Sequence, residues 1–163
     1  MATCFFIGHR DAKDSLLPAL AAEVERHITD YGVTEFVVGR YGRFDALAAQ
    51  TVRQAKERHP NIILTYLRPY HPAERAGETP KGFDGSFYPP GMERVPKRLA
   101  IVRANRYMVD HSDFLIAYTW HPASNSRELV EYARKREQLG LIHVTMLGNQ
   151  QNTNQAKTYP NLR

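Results

Sequence analysis

The sequence has one cysteine, one tryptophan and no long hydrophobic run among its 163 residues. A single cysteine, Cys4, excludes an intramolecular disulfide and a cysteine-rich zinc site. A membrane-spanning helix needs about 18 to 20 apolar residues in a row, so we expect no membrane partner. Residues 1–10 lack the basic segment and long apolar stretch of a secretory signal. We therefore expect a cytoplasmic protein.

Motifs for metal binding and for nucleophilic catalysis are also missing. None of the seven histidines occurs in a His-x-x-x-His or His-x-His pattern, so we predict no metal and no cofactor. There is no Gly-x-Ser-x-Gly elbow, and Cys4 falls inside a predicted buried strand, which disfavours Ser or Cys catalysis. The net charge of +5 and the pI near 9.4 are compatible with an anionic ligand or with nucleic acid, but identify neither.

Apolar runs of strand length alternate with segments of helical period. The five predicted strands cover residues 3–7, 35–38, 62–67, 114–118 and 141–146. Because these runs are apolar throughout, we expect a parallel sheet buried on both faces by helices. Right-handed crossovers favour an α/β, Rossmann-like three-layer sandwich with a mainly parallel five-stranded sheet of order 3-2-1-4-5.

This pattern predicts one domain over residues 1–148 and a polar C-terminal tail over residues 149–163. The pattern breaks over residues 68–95, which contain five of the ten prolines. A loop of this length in a small domain is often functional. Its aromatic residues favour an ordered lid, and we predict that Tyr88 or Trp120 stacks on the base of a ligand.

The first and fourth predicted strands are neighbours from which the chain leaves in opposite directions. Ligands of such sheets bind beyond the carboxyl ends of the strands at this switch point. Gly8, His9 and Arg10 follow the first strand. Gly8 permits close approach of the backbone, and Arg10 offers a planar set of donors for phosphate or carboxylate. The alternative is a plain turn with a solvated arginine.

A second candidate segment follows the second strand. The loop before the next helix is basic and contains two glycines; its candidate site residues are Gly39, Arg40, Gly42 and Arg43. Such a loop can hold an anion at the N-terminus of the helix. It is not a P-loop, because the Gly-Lys-Ser/Thr ending is absent. Asp45 is explained equally well as a residue that stabilises the first turn of its own helix.

A third segment follows the fourth strand. Ser124, Asn125 and Ser126 open a helix whose free N–H groups can bind an anion. The same residues also form an ordinary helix cap, with Glu128 three positions after Asn125. Trp120, at the end of the strand, either stacks on a base or covers the edge of the sheet.

Four segments in this order resemble the SLOG superfamily of Rossmann-like domains, which includes DprA and the LOG phosphoribohydrolases. They are Phe-Ile-Gly-His-Arg at 6–10, Val-Gly-Arg-Tyr-Gly-Arg-Phe-Asp at 38–45, Arg-Ala-Asn-Arg-Tyr-Met at 103–108 and Ser-Asp at 112–113. Within that superfamily the chain looks similar to the YpsA-like branch of bacterial and phage proteins. The similarity spans residues 3–146, and it implies a pocket for a nucleotide-derived ligand and a homo-oligomer.

The resemblance also suggests an enzymatic alternative. In LOG enzymes the loop after the fourth strand carries a Glu that acts in cleavage of an N-glycosidic bond, and a helix supplies an Arg. Glu128 matches the Glu position, but Ala104 stands at the Arg position, with Arg103 beside it. The glycines of the LOG loop are replaced here by His121, Pro122 and Ser124. These differences disfavour hydrolysis of an N-glycosidic bond. They are still compatible with a helix N-terminus that binds phosphate.

Three hypotheses follow. The preferred one is a SLOG-type protein that senses or sequesters a small nucleotide-derived ligand, such as an ADP-ribose-like or cyclic nucleotide signal. The first alternative is a phosphoribohydrolase that uses Glu128 and Arg103 as catalytic residues on a nucleoside monophosphate. The second alternative, single-stranded DNA binding, rests only on the basic pI and the similarity to DprA, so we expect no nucleic-acid partner.

Overall fold

The computed structural model describes residues 2–71, 79–120 and 124–148, which form six strands and four α-helices. The strands are β1 (Ala2–Gly8), β2 (Val33–Val38), β3 (Ile63–Leu67), β4 (Gly85–Phe87), β5 (Phe114–Tyr118) and β6 (His143–Met146). The helices are α1 (Leu17–Thr29), α2 (Arg43–Lys56), α3 (Ala100–His111) and α4 (Asn125–Gln138). None of these helices has the length and apolar character needed to cross a bilayer.

All strands run parallel in one sheet of order β4-β3-β2-β1-β5-β6. The predicted Rossmann-like sandwich is confirmed, and the predicted order 3-2-1-4-5 describes five of the six strands. The sixth strand, β4, lies within the segment 68–95 that was expected to be a loop. The sequence did not predict this strand, because it is only three residues long and its residues Gly85 and Ser86 are not apolar.

Edge strand β4 is held on β3 by a carboxylate as well as by backbone pairing. The Asp84 carboxylate accepts the Leu64 N–H at 2.8 Å and contacts the Lys56 ammonium at 2.5 Å. These contacts hold the pKa of Asp84 below its usual value against the opposing effect of burial. Part of the predicted lid is therefore an extension of the sheet.

Alternating side chains of β1 supply the two halves of the core. Cys4 and Phe6 face the layer that contains α1 and α2, whereas Phe5 and Ile7 face the layer that contains α3 and α4. All four side chains are almost completely buried, as expected for a central parallel strand. Burial of each large side chain stabilises the fold by about 1.5–3 kcal/mol.

The connections of β1 and β5 place an opening at the carboxyl edge of the sheet. These strands are neighbours, with Gly8 opposite Tyr118. The chain then passes from β1 to α1 on one face and from β5 to α4 on the other. The predicted switch point is therefore present between these two strands.

Gly8→Ala tests how tightly this edge is packed. A Cβ atom at residue 8 would lie 2.2 Å from the ring of Phe44, which is fully buried. Overpacking of this kind costs about 1–3 kcal/mol, and chemical denaturation should show that loss. Gly85→Ala is the matched control, because a Cβ there meets nothing within 4 Å. Equal stability of the two variants would contradict this description of the edge.

Candidate functional site

A cavity of about 370 Å³ lies at the carboxyl edge of the sheet, between the exits of β1, β2 and β5 and one face of α3. Eight of the predicted site residues line it: Gly8, His9, Arg10, Gly39, Gly42, Ser124, Asn125 and Ser126. The three segments singled out from the sequence therefore converge on one hollow. Residues 121–123, which begin the third segment, lie outside the described part of the chain.

His9 joins the exit of β1 to the exit of β5. The Trp120 N–H donates to His9 Nε2 at 2.7 Å, and the His9 N–H donates to the Tyr118 carbonyl at 3.2 Å. Because Nε2 accepts a backbone hydrogen bond, the proton of the neutral ring is on Nδ1. The Trp120 indole packs edge-on against the His9 ring. The buried imidazole thus fixes the relative position of two walls of the cavity.

Arg10 and Gly42 bring the exits of β1 and β2 into direct contact. A Cβ atom at residue 42 would lie 2.4 Å from Arg10 Cα, so only glycine fits there. The Arg43 N–H also donates to the Arg10 carbonyl at 2.9 Å. The Arg10 side chain is exposed and contributes to the lining of the cavity.

Asp45 is the carboxyl group that lines the cavity among the described residues. Its Oδ2 accepts the Tyr41 N–H at 3.1 Å. Burial raises the pKa of Asp45 from 3.8 to about 6, although this hydrogen bond acts in the opposite direction. Tyr41 is held in turn by its hydroxyl, which donates to the Leu67 carbonyl at 3.3 Å. From the sequence, Asp45 was interpreted only as a residue that stabilises the first turn of its own helix.

The N-terminus of α4 forms another wall. Ser124 caps the helix, with its Oγ accepting the Arg127 N–H at 3.1 Å. The Ser126 hydroxyl donates to the Gly8 carbonyl at 3.4 Å, which ties α4 to β1. The amides of Asn125 and Ser126 belong to the first turn, whose N–H groups have no acceptor within the helix. Together with the N-terminus of α2, they direct positive partial charge towards the cavity.

The remaining wall comes from α3 and from the second turn of α4. Ile101, Val102 and Leu129 give it an apolar surface, and Asn105 adds one amide. These residues were not predicted, because the candidate residues on this helix were chosen for their charge. Arg103 instead lines a separate cavity of about 510 Å³ together with Arg106. A helical-wheel projection of α3 could have shown that an uncharged face of this helix lies towards the predicted strand exits.

Five other predicted site residues also lie outside the lining of this cavity. Arg40 faces an adjoining hollow, Arg43 pairs with the Asp14 carboxylate, and Tyr88 lines a cavity with His71. Trp120 is 46% exposed beside His9, and Glu128 is exposed on α4. The cavity therefore contains one of the predicted arginines, Arg10, and neither of the two predicted catalytic residues.

The composition of the lining suits an anion that carries an apolar group. Two helix N-termini and Arg10 favour negative charge, and the aliphatic surface from α3 and α4 favours a ring or a base. No group of three or more His, Cys, Asp or Glu side chains that could hold a metal ion occurs in residues 2–71, 79–120 and 124–148. Neither a protein-family model nor a curated protein matches this sequence.

Asp45→Asn tests the buried carboxyl group. Below about pH 4 the carboxyl is protonated in both the folded and unfolded states, whereas above pH 6 the folded state carries the cost of a buried charge. The free energy of unfolding of the wild type should therefore fall relative to that of Asp45→Asn as the pH rises from about 4 to 6. The comparison between the two proteins is needed because burial lowers the pKa of His27, which makes an opposite contribution in this window. The variant should be about 2 kcal/mol more stable than the wild type at pH 7.

The control for this experiment is Asp11→Asn, which removes an exposed carboxylate and should leave the pH dependence of stability unchanged. Denaturant unfolding at each pH provides the measurement. A difference in stability between the wild type and Asp45→Asn that stays constant from about pH 4 to pH 6 would contradict the assignment.

Proposed function

We propose that the protein binds a small nucleotide-derived ligand in the 370 Å³ cavity and acts as a SLOG-type sensor or sequestering protein. The observation that carries this proposal is the convergence of the exits of β1, β2 and β5 on one hollow at the switch point. Rossmann-like sheets bind their ligands at this place. The volume lies within the range of about 300–1,000 Å³ usual for small-molecule sites.

The polar end of the cavity supports a phosphate or pyrophosphate group. The first-turn amides of α4 at Asn125 and Ser126 provide neutral donors, and Arg10 provides a charged one at the rim. Charge-assisted hydrogen bonds stabilise a complex by roughly 1.5–3 kcal/mol each. Because Arg10 is exposed, its contribution belongs at the lower end of this range.

The apolar end supports a nucleobase. Ile101 and Val102 on α3 and Leu129 on α4 offer an aliphatic surface for one face of a ring. Val102 is 46% exposed, and a bound base would remove part of this apolar area from water. The amide of Asn105 can both donate to and accept from the edge of the base.

The position of Glu128 favours binding over hydrolysis. An acid or base in N-glycosidic cleavage must lie within hydrogen-bond reach of the reacting atoms. Glu128 is exposed and is absent from the cavity lining, whereas Arg103 lines another cavity. The carboxyl group in the lining, Asp45, accepts the Tyr41 N–H, and this hydrogen bond already gives it a role in holding the turn after β2.

Arg10→Ala should weaken the binding of ADP-ribose about tenfold, because loss of about 1.4 kcal/mol changes affinity by that factor. Isothermal titration calorimetry measures the affinity. Arg134→Ala is the matched control, since Arg134 is an exposed arginine in the second half of α4 and lines none of the cavities considered above. Equal affinity of the wild type and Arg10→Ala would refute the role of Arg10 in holding phosphate.

Asn125→Asp tests the helix N-terminus without removing an atom from the cavity wall. A carboxylate in the first turn of α4 stabilises the helix by about 0.3–1 kcal/mol, but it repels a pyrophosphate. The melting temperature should stay constant or rise while affinity for ADP-ribose falls at least tenfold. Ala19→Asp, in the first turn of α1, is the control, and it should change stability alone. Unchanged affinity in Asn125→Asp would remove α4 from the proposed anion site.

A further inference from the structure

A second cavity of about 390 Å³ adjoins the proposed nucleotide site on the other side of the turn after β2. Three cationic side chains line it: Arg40 from the turn, Arg53 from α2, and Lys81 from the segment that leads into β4. The function proposed above makes no use of these residues. We refer to this hollow as the basic cavity.

The three cations of the basic cavity are exposed, and none of them forms a salt bridge with an acidic residue in the described ranges of the chain. Other basic residues nearby are paired, as Arg43 is with Asp14 and Lys56 is with Asp84. Asp45 contributes one carboxyl group to the lining, which is ionised above about pH 6, so positive charge remains in excess. Three positive charges around one hollow repel each other, so an anion at this place would lower their electrostatic energy.

The position of Arg53 is set by the chain that packs over it. A Cβ atom at Gly82 would lie 3.0 Å from Arg53 Cδ and 3.1 Å from its Nη1. Gly82 has a φ of +92°, a conformation that favours glycine, so the turn approaches the arginine without a side chain between them. Arg53 therefore lies against the turn that contains Lys81, while it remains exposed to solvent.

The two cavities have common walls. Gly39, Gly42 and Asp45 line both of them, so one ligand can extend from the amides of α4 into the basic cavity. We propose that the basic cavity binds a second phosphate group of the same ligand, so that the ligand is a nucleotide with two separated phosphate groups. This inference rests on the proposed function and specifies the class of ligand.

The shape of the basic cavity favours a small molecule over a nucleic-acid strand. Besides the cations, Ala46, Ala49, Pro80 and Phe83 line it and add apolar surface from α2 and from the turn before β4. A strand is bound through a groove that follows its backbone and through several aromatic side chains that stack on its bases. Because Phe83 is the aromatic side chain in this lining, a hollow of about 390 Å³ beside the proposed nucleotide site matches a single phosphate group better.

A matched pair of ligands tests this inference. ADP-ribose and ADP-ribose 2′-phosphate differ by one phosphate group that is separated from the pyrophosphate. Calorimetry on the full chain should show that the 2′-phosphate derivative binds at least tenfold more tightly. The double variant Arg53→Met, Lys81→Met keeps the apolar stems and should abolish this gain, while its affinity for ADP-ribose stays within twofold of the wild type.

Arg134→Met combined with Lys135→Met is the control, because it removes the same charges from the exposed surface of α4 and should retain the gain. Equal wild-type affinity for the two ligands would overturn the inference and leave the proposed function intact. Failure of both ligands to bind would overturn both proposals. A thymidine oligonucleotide whose binding depends on Arg53 and Lys81, without any gain for the 2′-phosphate, would replace the second phosphate site with a nucleic-acid surface.

Discussion

The pairing of β1 with both β2 and β5 is the constraint on which the rest of this structure depends. β1 is buried on both faces, and its parallel neighbours carry the chain away to opposite sides of the sheet. The connections after β1 and β2 turn towards the layer of α1 and α2, whereas the connection after β5 turns towards the layer of α4, so a space remains between these strand exits. The cavity is therefore a consequence of topology, and the loop residues decide only its chemistry.

The lining of the cavity combines groups that favour a negative charge with one carboxyl group that opposes it. The N-termini of α2 and α4 favour negative charge, and Arg10 adds a full positive charge at the rim. Asp45 contributes a carboxyl group to the same space, but burial raises its pKa to about 6, which reduces the charge it presents in mildly acidic solution. Its hydrogen bond from Tyr41 also holds the turn after β2. Asp45 thus supports the wall of the cavity, but it adds negative charge to the lining above about pH 6.

The strand exits could be predicted because apolar runs and glycines mark them in the sequence, and parallel strands carry their exits to one edge. The side-chain directions could not be predicted. Arg40 and Arg43 belong to the same turn as Gly39 and Gly42, yet Arg40 faces the basic cavity and Arg43 reaches Asp14. Likewise α3 presents Ile101 and Asn105 to the cavity, while Arg103 lines another one. Successive side chains of a helix differ in direction by about 100°, so a shift of one or two residues decides which cavity a side chain lines.

The sequence by itself determined the layers, the order of the five apolar strands and the edge of the sheet at which the cavity lies, because these follow from hydrophobic periodicity and the handedness of crossovers. Only the tertiary structure decided the sixth strand, the burial of Asp45 and the division between two cavities. Each of these depends on contacts between residues far apart in the chain, such as Asp84 with Leu64 or Gly42 with Arg10. Hydrophobic periodicity and local motifs do not encode such contacts, because they describe only residues that are close together in the chain.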